Sequence, residues 1–221
     1  MIKIDRLRKK LNSSCGCSGC RKCELKISRI KKYINAGIPA EYWNYSFKNF
    51  SGNKILKQKI TEYLKDIGEM YDEGKSVLMV GTMGTGKTYS ACCMLKIAIM
   101  NDFSGMYVNM VDIINNIISN NQINSGEYIQ RLLDIDFLVI DELDSRWIFP
   151  SEKTEQIFGS YMEYILRSRF QNHMPTIMCS NTQNIGDIFS GDFSKSFKSL
   201  TGHYVDTIVV AGKDFRKRSK V

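Results

Sequence analysis

Short continuous apolar runs alternate along the chain with segments whose apolar residues recur at three- and four-residue steps. Val77–Val80, Met106–Asn109, Ile135–Ile140, Thr176–Ser180 and Thr207–Val210 read as strands. Between them, Lys87–Met100, Val111–Ser119 and Lys153–Gln171 read as helices, the last with Ile157, Phe158, Tyr161, Met162 and Ile165 on one side. Ser196–Leu200 reads as a helical turn. Ahead of the first strand, Leu56, Ile60, Tyr63, Leu64, Ile67, Met70 and Tyr71 predict one amphipathic helix over Lys54–Tyr71. Strands that are apolar throughout and separated by helices imply a parallel sheet covered on both faces. The aromatic-rich stretch Gly37–Gly52, with Pro39 and no clear period, reads as an ordered linker lying against the next domain. The expected division is therefore a basic, Cys-rich segment over 1–35, helical at its ends, a linker over 36–53, and an α/β domain over 54–221.

Charge changes this picture at the two ends. The chain of 221 residues has a formal net charge of +8. Residues 1–32 hold eleven Lys and Arg against two acids, and residues 212–221 hold five against one. The remainder is mildly acidic, so the basic ends point to a polyanion, with nucleic acid as the candidate. The 43% apolar content is enough for a core. No apolar run is long enough to span a bilayer, and no apolar stretch follows the basic N-terminus as in a secretory signal. A cytoplasmic location, in a bacterial cell or a phage-infected host, and no membrane partner are expected.

The first strand runs straight into Gly81, Thr82, Met83, Gly84, Thr85, Gly86, Lys87 and Thr88, and a helix follows. This is the strand–loop–helix setting that G-x-x-x-x-G-K-[ST] requires. Glycines let the loop wrap tightly so that backbone N–H groups face a phosphate, and the helix N-terminus adds its positive dipole end. Lys87 is expected to reach the β- and γ-phosphates of ATP, and the Thr88 hydroxyl to ligate magnesium.

A second strand, Phe137-Leu-Val-Ile, ends in Asp141 and Glu142. A carboxylate at a strand tip beside the cradle can hold magnesium, the role expected of Asp141. Its neighbour Glu142 can polarise the attacking water. The strand Thr176–Ser180 ends in Asn181, an amide able to bind the γ-phosphate or orient water and so distinguish ATP from ADP.

Four of the seven cysteines, Cys15, Cys17, Cys20 and Cys23, fall within nine residues. Four soft ligands suit tetrahedral zinc, and the cations around them favour thiolates. The spacing is tighter than in a zinc ribbon. An iron–sulfur cluster and unliganded thiols are the competing readings. Cys92, Cys93 and Cys179 lie in apolar surroundings and read as small core residues.

Beyond these motifs, the chain resembles the AAA+ helicase loaders of the DnaC/DnaI-like group and their IstB-type transposition relatives, over about residues 34–218. The resemblance is carried by Ala36-Gly-Ile-Pro39 with Tyr42 and Phe47-x-x-Phe50, by the phosphate loop, by Val139-Ile-Asp141-Glu142-Leu143, by Met174-Pro-Thr-Ile-Met-Cys-Ser-Asn181, and by a closing Gly212-Lys-Asp-Phe-Arg216. It implies a P-loop NTPase of the AAA+ (ASCE) type with five parallel strands and the phosphate-loop strand near the centre. It also implies self-association through the ATP sites, contact with single-stranded DNA, and loading of a replicative helicase. By the same resemblance Arg216 aligns with a second sensor that touches the γ-phosphate. Arg169 falls where the family often has Arg and is assigned no role beyond a contact with a neighbouring subunit.

One departure stands out. The family offers an Arg finger between the Asn strand and the last strand, whereas residues 182–215 contain no Arg. Lys195 and Lys198 are the only cations there before Lys213, and a point charge is a weaker transition-state clamp than a guanidinium fork. Slow hydrolysis is therefore expected. The leading reading is an ATPase that delivers a replicative helicase to single-stranded DNA, with the Cys-rich head holding the helicase and a size that suits a phage-encoded loader. A transposition helper of the IstB type, and a nucleic-acid-binding adaptor that uses ATP as a switch with little turnover, are the alternatives. A small-molecule kinase is remote, since the acid pair with Asn181 suits water activation better.

Overall fold

The structure is a computed structural model and describes residues 2–118, 122–143, 152–189, 191–212 and 214–215. Its N-terminal head pairs α1 (Ile2–Cys15) with α2 (Arg21–Asn35), joined by the cysteine-bearing turn. Helix α2 buries Cys23, Ile27, Ile30 and Tyr33 at helical spacing and turns its Lys and Arg to solvent. Two short 3-10 turns, Ala40–Tyr42 and Phe47–Asn49, follow in the linker.

Residues 54–72 form two helices where the periodicity predicts one. Helix α3 (Lys54–Tyr63) stops at Leu64, and α4 (Ile67–Asp72) begins anew because the Asp66 side chain accepts from the Glu69 N–H. An Asp in that geometry caps a new helix more readily than it continues an old one. The break lets Ile60, Tyr63, Ile67 and Met70 all reach one core.

The sheet and its helices then alternate: β1 (Ser76–Gly81), α5 (Lys87–Met100), β2 (Gly105–Asn109), α6 (Met110–Ile118), α7 (Gln122–Asp134), β3 (Phe137–Asp141), α8 (Glu152–Gln171), β4 (Thr176–Ser180), α9 (Gly191–Tyr204) and β5 (Val205–Val210). All four pairings are parallel, in the order β2-β3-β4-β1-β5. The three inner strands are buried along their whole length, while β2 and β5 at the edges are only half so. That difference is the physical origin of the continuous apolar runs in β1, β3 and β4.

Alternate side chains feed two cores. Val77, Met79, Val139, Ile177 and Cys179 face α5, α3, α4 and the end of α2. Leu78, Val80, Leu138, Ile140 and Met178 face α6, α7, α8 and α9. The outcome is the three-layer α/β arrangement expected from the sequence. Strand β4 is inserted between the phosphate-loop strand β1 and the acid-bearing strand β3, so β4 is central and β1 lies one place from the edge.

Candidate nucleotide and metal sites

Because the sheet is parallel, the C-terminal ends of β1, β4 and β3 open side by side on one edge of the domain. The register aligns Val80 with Ser180 and Ile140 with Met178, so the residues that follow these strands emerge next to one another. The loop after β1 carries residues 81–88, the turn after β4 carries Asn181, and the tip of β3 carries Asp141 and Glu142. This is where α/β folds of this kind place ligands.

A cavity of about 370 Å³ lies at this edge, lined by Tyr42, Phe50, Gly86, Lys87, Thr88 and Asn181 among others. A larger groove of about 480 Å³ lies along the β5 edge between Ile55, Tyr63 and Val209. It contains none of the sequence-predicted site residues, so size alone does not identify the functional site.

The loop geometry follows from its glycines. Gly86 has φ +98°, and a Cβ there would stand 2.6 Å from the Phe50 ring. The linker aromatic therefore lies directly on the loop, and only glycine fits beneath it. Lys87 is 5% exposed, and its Nζ donates to the carbonyls of Gly81 at 2.7 Å and Thr82 at 2.8 Å. The ammonium is thus held within the curl of its own loop at the start of α5. Thr88, half-buried, lines the cavity one residue further on.

Asp141 is 4% exposed. One carboxylate oxygen accepts the Glu142 N–H at 2.8 Å and the other accepts the Tyr107 hydroxyl at 2.8 Å. Burial, then the Asp141 charge, raises the Tyr107 pKa far above its ordinary value, so the phenol remains a donor. Glu142 sits at φ +57°, an uncommon conformation for a residue with a side chain. The kink exposes Glu142, while Leu143 turns back into the core with its N–H on the Cys179 carbonyl. Local strain of this sort collects at functional sites.

Cys179 lies buried on β4, the strand between β1 and β3. Burial raises its pKa, the Asp141 carboxylate raises it further, and the Lys87 ammonium opposes the rise. Both groups therefore act on one buried thiol between them. A hydroxyl and a carboxylate, hard oxygen donors at the same end of the sheet, match the preference of magnesium. Thr88 and Asp141 fit that ion by donor type.

The linker is held over the site by contacts the sequence did not disclose. Lys96 on α5 is buried, donates to the Tyr42 carbonyl at 2.6 Å and to the Tyr45 carbonyl, and lies 5.6 Å from the centre of the Tyr33 ring. Burial pushes its pKa down. On the other side the Phe215 N–H donates to the Gly84 carbonyl at 2.9 Å, so the closing segment also rests on the loop. Arg216 lies outside the described residues.

Arg169 requires correction. It is 1% exposed, and its guanidinium donates to Thr176 Oγ1 and to the carbonyls of Leu132, Leu133, Ile135, Asp136 and Pro175. It ties the end of α7 to the starts of β3 and β4, at the end of the sheet opposite the phosphate loop. Buried in this way, it is unable to reach a neighbouring subunit.

In the head, the four sulfurs of Cys15, Cys17, Cys20 and Cys23 lie within 4.8 Å of one another. The Cys15–Cys20 and Cys17–Cys23 separations are 3.8 and 3.6 Å. A tetrahedron of zinc–sulfur bonds of about 2.3 Å has sulfur–sulfur edges of roughly 3.8 Å. The Cys20 N–H points at the Cys17 sulfur, 3.4 Å away, and with the Gly19 N–H draws the Cys17 pKa down to about 6. Burial pushes Cys23 up to about 12, and the hydrogen bond with Cys17 raises Cys15.

Comparison with known proteins agrees with this architecture. The family model for IstB-like ATP binding proteins matches residues 27–187. A crystal structure of the DnaC helicase loader superposes with a TM-score of 0.64 at 19% identity, covering 78% of this chain and 100% of that one. A crystal structure of DnaI gives 0.63 at 18% identity, covering 80% and 93%. The replication initiator DnaA bound to AMPPCP and single-stranded DNA gives 0.59 at 16% identity, covering 80% of this chain and 51% of that one. Curated protein sequences yield no significant match.

Proposed function

Since the chain belongs to the IstB-like ATP-binding family, we propose that it binds and hydrolyses ATP to load a replicative helicase onto single-stranded DNA. The observation that carries the ATPase part is the convergence of Lys87, Thr88, Asp141, Glu142 and Asn181 from three neighbouring strand ends. Loop N–H groups and Lys87 hold the phosphates, while Thr88 and Asp141 hold magnesium. Glu142 takes the proton of the attacking water. Asn181 hydrogen-bonds the γ-phosphate and reports its loss.

The helicase and DNA part is supported by likeness in fold to the DnaC helicase loader, to DnaI and to DnaA with single-stranded DNA. It is also supported by the head, where Lys22, Lys26 and Arg29 occupy the exposed face of α2. Among the described residues these three form no ion pair within 4.0 Å. About three phosphate contacts to a single strand give a salt slope of roughly −2 in log affinity. Replacing all three residues by Ala is expected to reduce the measured slope by about that amount, as read by anisotropy of a labelled oligonucleotide across salt concentrations. An unchanged slope would place the DNA elsewhere.

The test of the whole reading is a pull-down of the replicative helicase with and without ATP, alongside ATPase rates with and without single-stranded DNA. ATP-dependent capture supports the loader. Nucleotide binding without turnover would instead favour the adaptor reading, to which the absence of Arg from residues 182–215 inclines. Capture of a transposase in place of the helicase would favour the IstB-type helper.

We also propose that the four head cysteines hold zinc, on the strength of their sulfur spacing. Metal analysis is expected to find about one zinc per chain. A chelator is expected to remove it and melt the packing of α1 on α2, seen as lost helical circular dichroism, because so short a segment has little core of its own. Protein purified without metal but with an intact head would contradict this.

A further inference from the structure

We propose that Tyr107 is the positioning residue for Asp141, and that its backbone makes α2 of the head a lever on that carboxylate. The inference rests on the reading of Asp141 as a magnesium ligand. Strand β2 carries Tyr107 level with Val139 and Asn109 level with Asp141. Tyr107 is therefore two residues, about 6.6 Å, short of Asp141 along the sheet. Its side chain lies on the same face and spans that distance, placing the hydroxyl 2.8 Å from Oδ2.

With the Glu142 N–H on Oδ1 and the Tyr107 hydroxyl on Oδ2, each carboxylate oxygen has a donor, and the buried Cys179 thiol adds a further hydrogen bond to the group. A carboxylate has about four acceptor sites, so a lone pair remains for a metal-bound water while the plane of the group is set. Without the hydroxyl, Oδ2 loses that donor and the plane of the carboxylate is set less tightly, by the Glu142 N–H and the Cys179 thiol. Donors that orient metal-ligating groups are worth roughly 10–100-fold in metal affinity or activity.

The same residue holds the head. The Tyr107 N–H donates to the Ala36 carbonyl at 2.7 Å, at the point where α2 ends. Gly37 follows with φ +75°, and a Cβ there would lie 2.7 Å from the Tyr107 carbonyl oxygen. The end of α2 is thus seated on the outer edge of β2, against both polar atoms of one peptide residue. Tyr107 has the head on its backbone and the magnesium carboxylate on its hydroxyl. A partner that displaces α2 shifts this strand, and with it the orientation of Asp141.

The test uses the full chain, Tyr107→Phe, Gly37→Ala and the double variant. The readout is equilibrium binding of a fluorescent, non-hydrolysable ATP analogue as magnesium is titrated. Tyr107→Phe is expected to leave affinity in EDTA unchanged and to raise the magnesium half-saturation about 10-fold. Gly37→Ala is expected to shift it in the same direction, with the double variant no worse than the more affected single one. Unchanged magnesium dependence in Tyr107→Phe, with circular dichroism and melting intact, would overturn the positioning role. Effects that multiply, or none in Gly37→Ala, would overturn the lever. Wild-type protein that binds the analogue without regard to magnesium would instead remove Asp141 from the metal site.

Discussion

Replacing Lys87 by Ala is expected to weaken ATP binding by about 100-fold or more and to take hydrolysis below detection. Hydrogen bonds to charged groups contribute about 1.5–3 kcal/mol each, and among the described residues this ammonium has the Gly81 and Thr82 carbonyls to exchange for phosphate oxygens. Losing even the lower total, about 3 kcal/mol, is a factor of roughly 100 in affinity. The side chain is also part of the folded loop, since Gly81 and Thr82 lose the donor to their carbonyls. A modest fall in melting temperature should accompany the variant. Titration with a fluorescent ATP analogue measures the effect, and an affinity within a few-fold of wild type would show that phosphate is bound somewhere other than this loop.

Glu142→Gln is expected to behave in the opposite way, keeping ATP and losing turnover. Gln matches Glu in shape but accepts no proton from water, and general-base catalysis contributes typically 10²–10⁴-fold. Hydrolysis should drop by about that factor while affinity stays within a few-fold. The exposed side chain of Glu142 explains why binding should survive, since the hydrogen bond that Glu142 gives Asp141 comes from its backbone N–H, which Gln retains. ATP-dependent self-association should persist longer in this variant if subunits meet through their nucleotide sites. Single-turnover measurement separates the two steps, and wild-type rates would remove Glu142 from the mechanism.

The parts of the site that were legible in the sequence are those fixed by local chemistry. The glycines, Lys87 and Thr88 form one uninterrupted motif, and Asp141-Glu142 and Asn181 each follow an apolar strand. The structure brings all of them to one sheet edge because parallel strands end together. What the sequence concealed depends on distant pairings. Tyr107 and Asp141 are 34 residues apart, and nothing in the β2 pattern indicates that a tyrosine there reaches the next strand's tip. Arg169 could be noticed but not interpreted, because its role is to accommodate carbonyls gathered from the end of α7, the connection to β3, and Pro175 ahead of β4.

Among the elements, α7 escapes the periodicity because Ile, Asn, Ser and Gly fill most of its first half, Gln-Ile-Asn-Ser-Gly-Glu. The helix is held by burial of Ile129 and Leu132 instead. Helix α9 is longer than the predicted turn for a related reason: Ser and Gly dilute the pattern, while Phe197, Leu200 and Thr201 anchor it in the core. In both, tertiary packing outweighs propensity. The cysteine cage could be foreseen from composition, whereas its sulfur spacing needed the two helices to be seen folded together.

The most direct measurement is a structure of the protein with magnesium and a non-hydrolysable ATP analogue. The β- and γ-phosphates should lie in the loop of residues 81–88, with magnesium between Thr88 and Asp141 and the γ-phosphate facing Glu142 and Asn181. A nucleotide seated elsewhere, or a metal that ignores Asp141, would contradict the account.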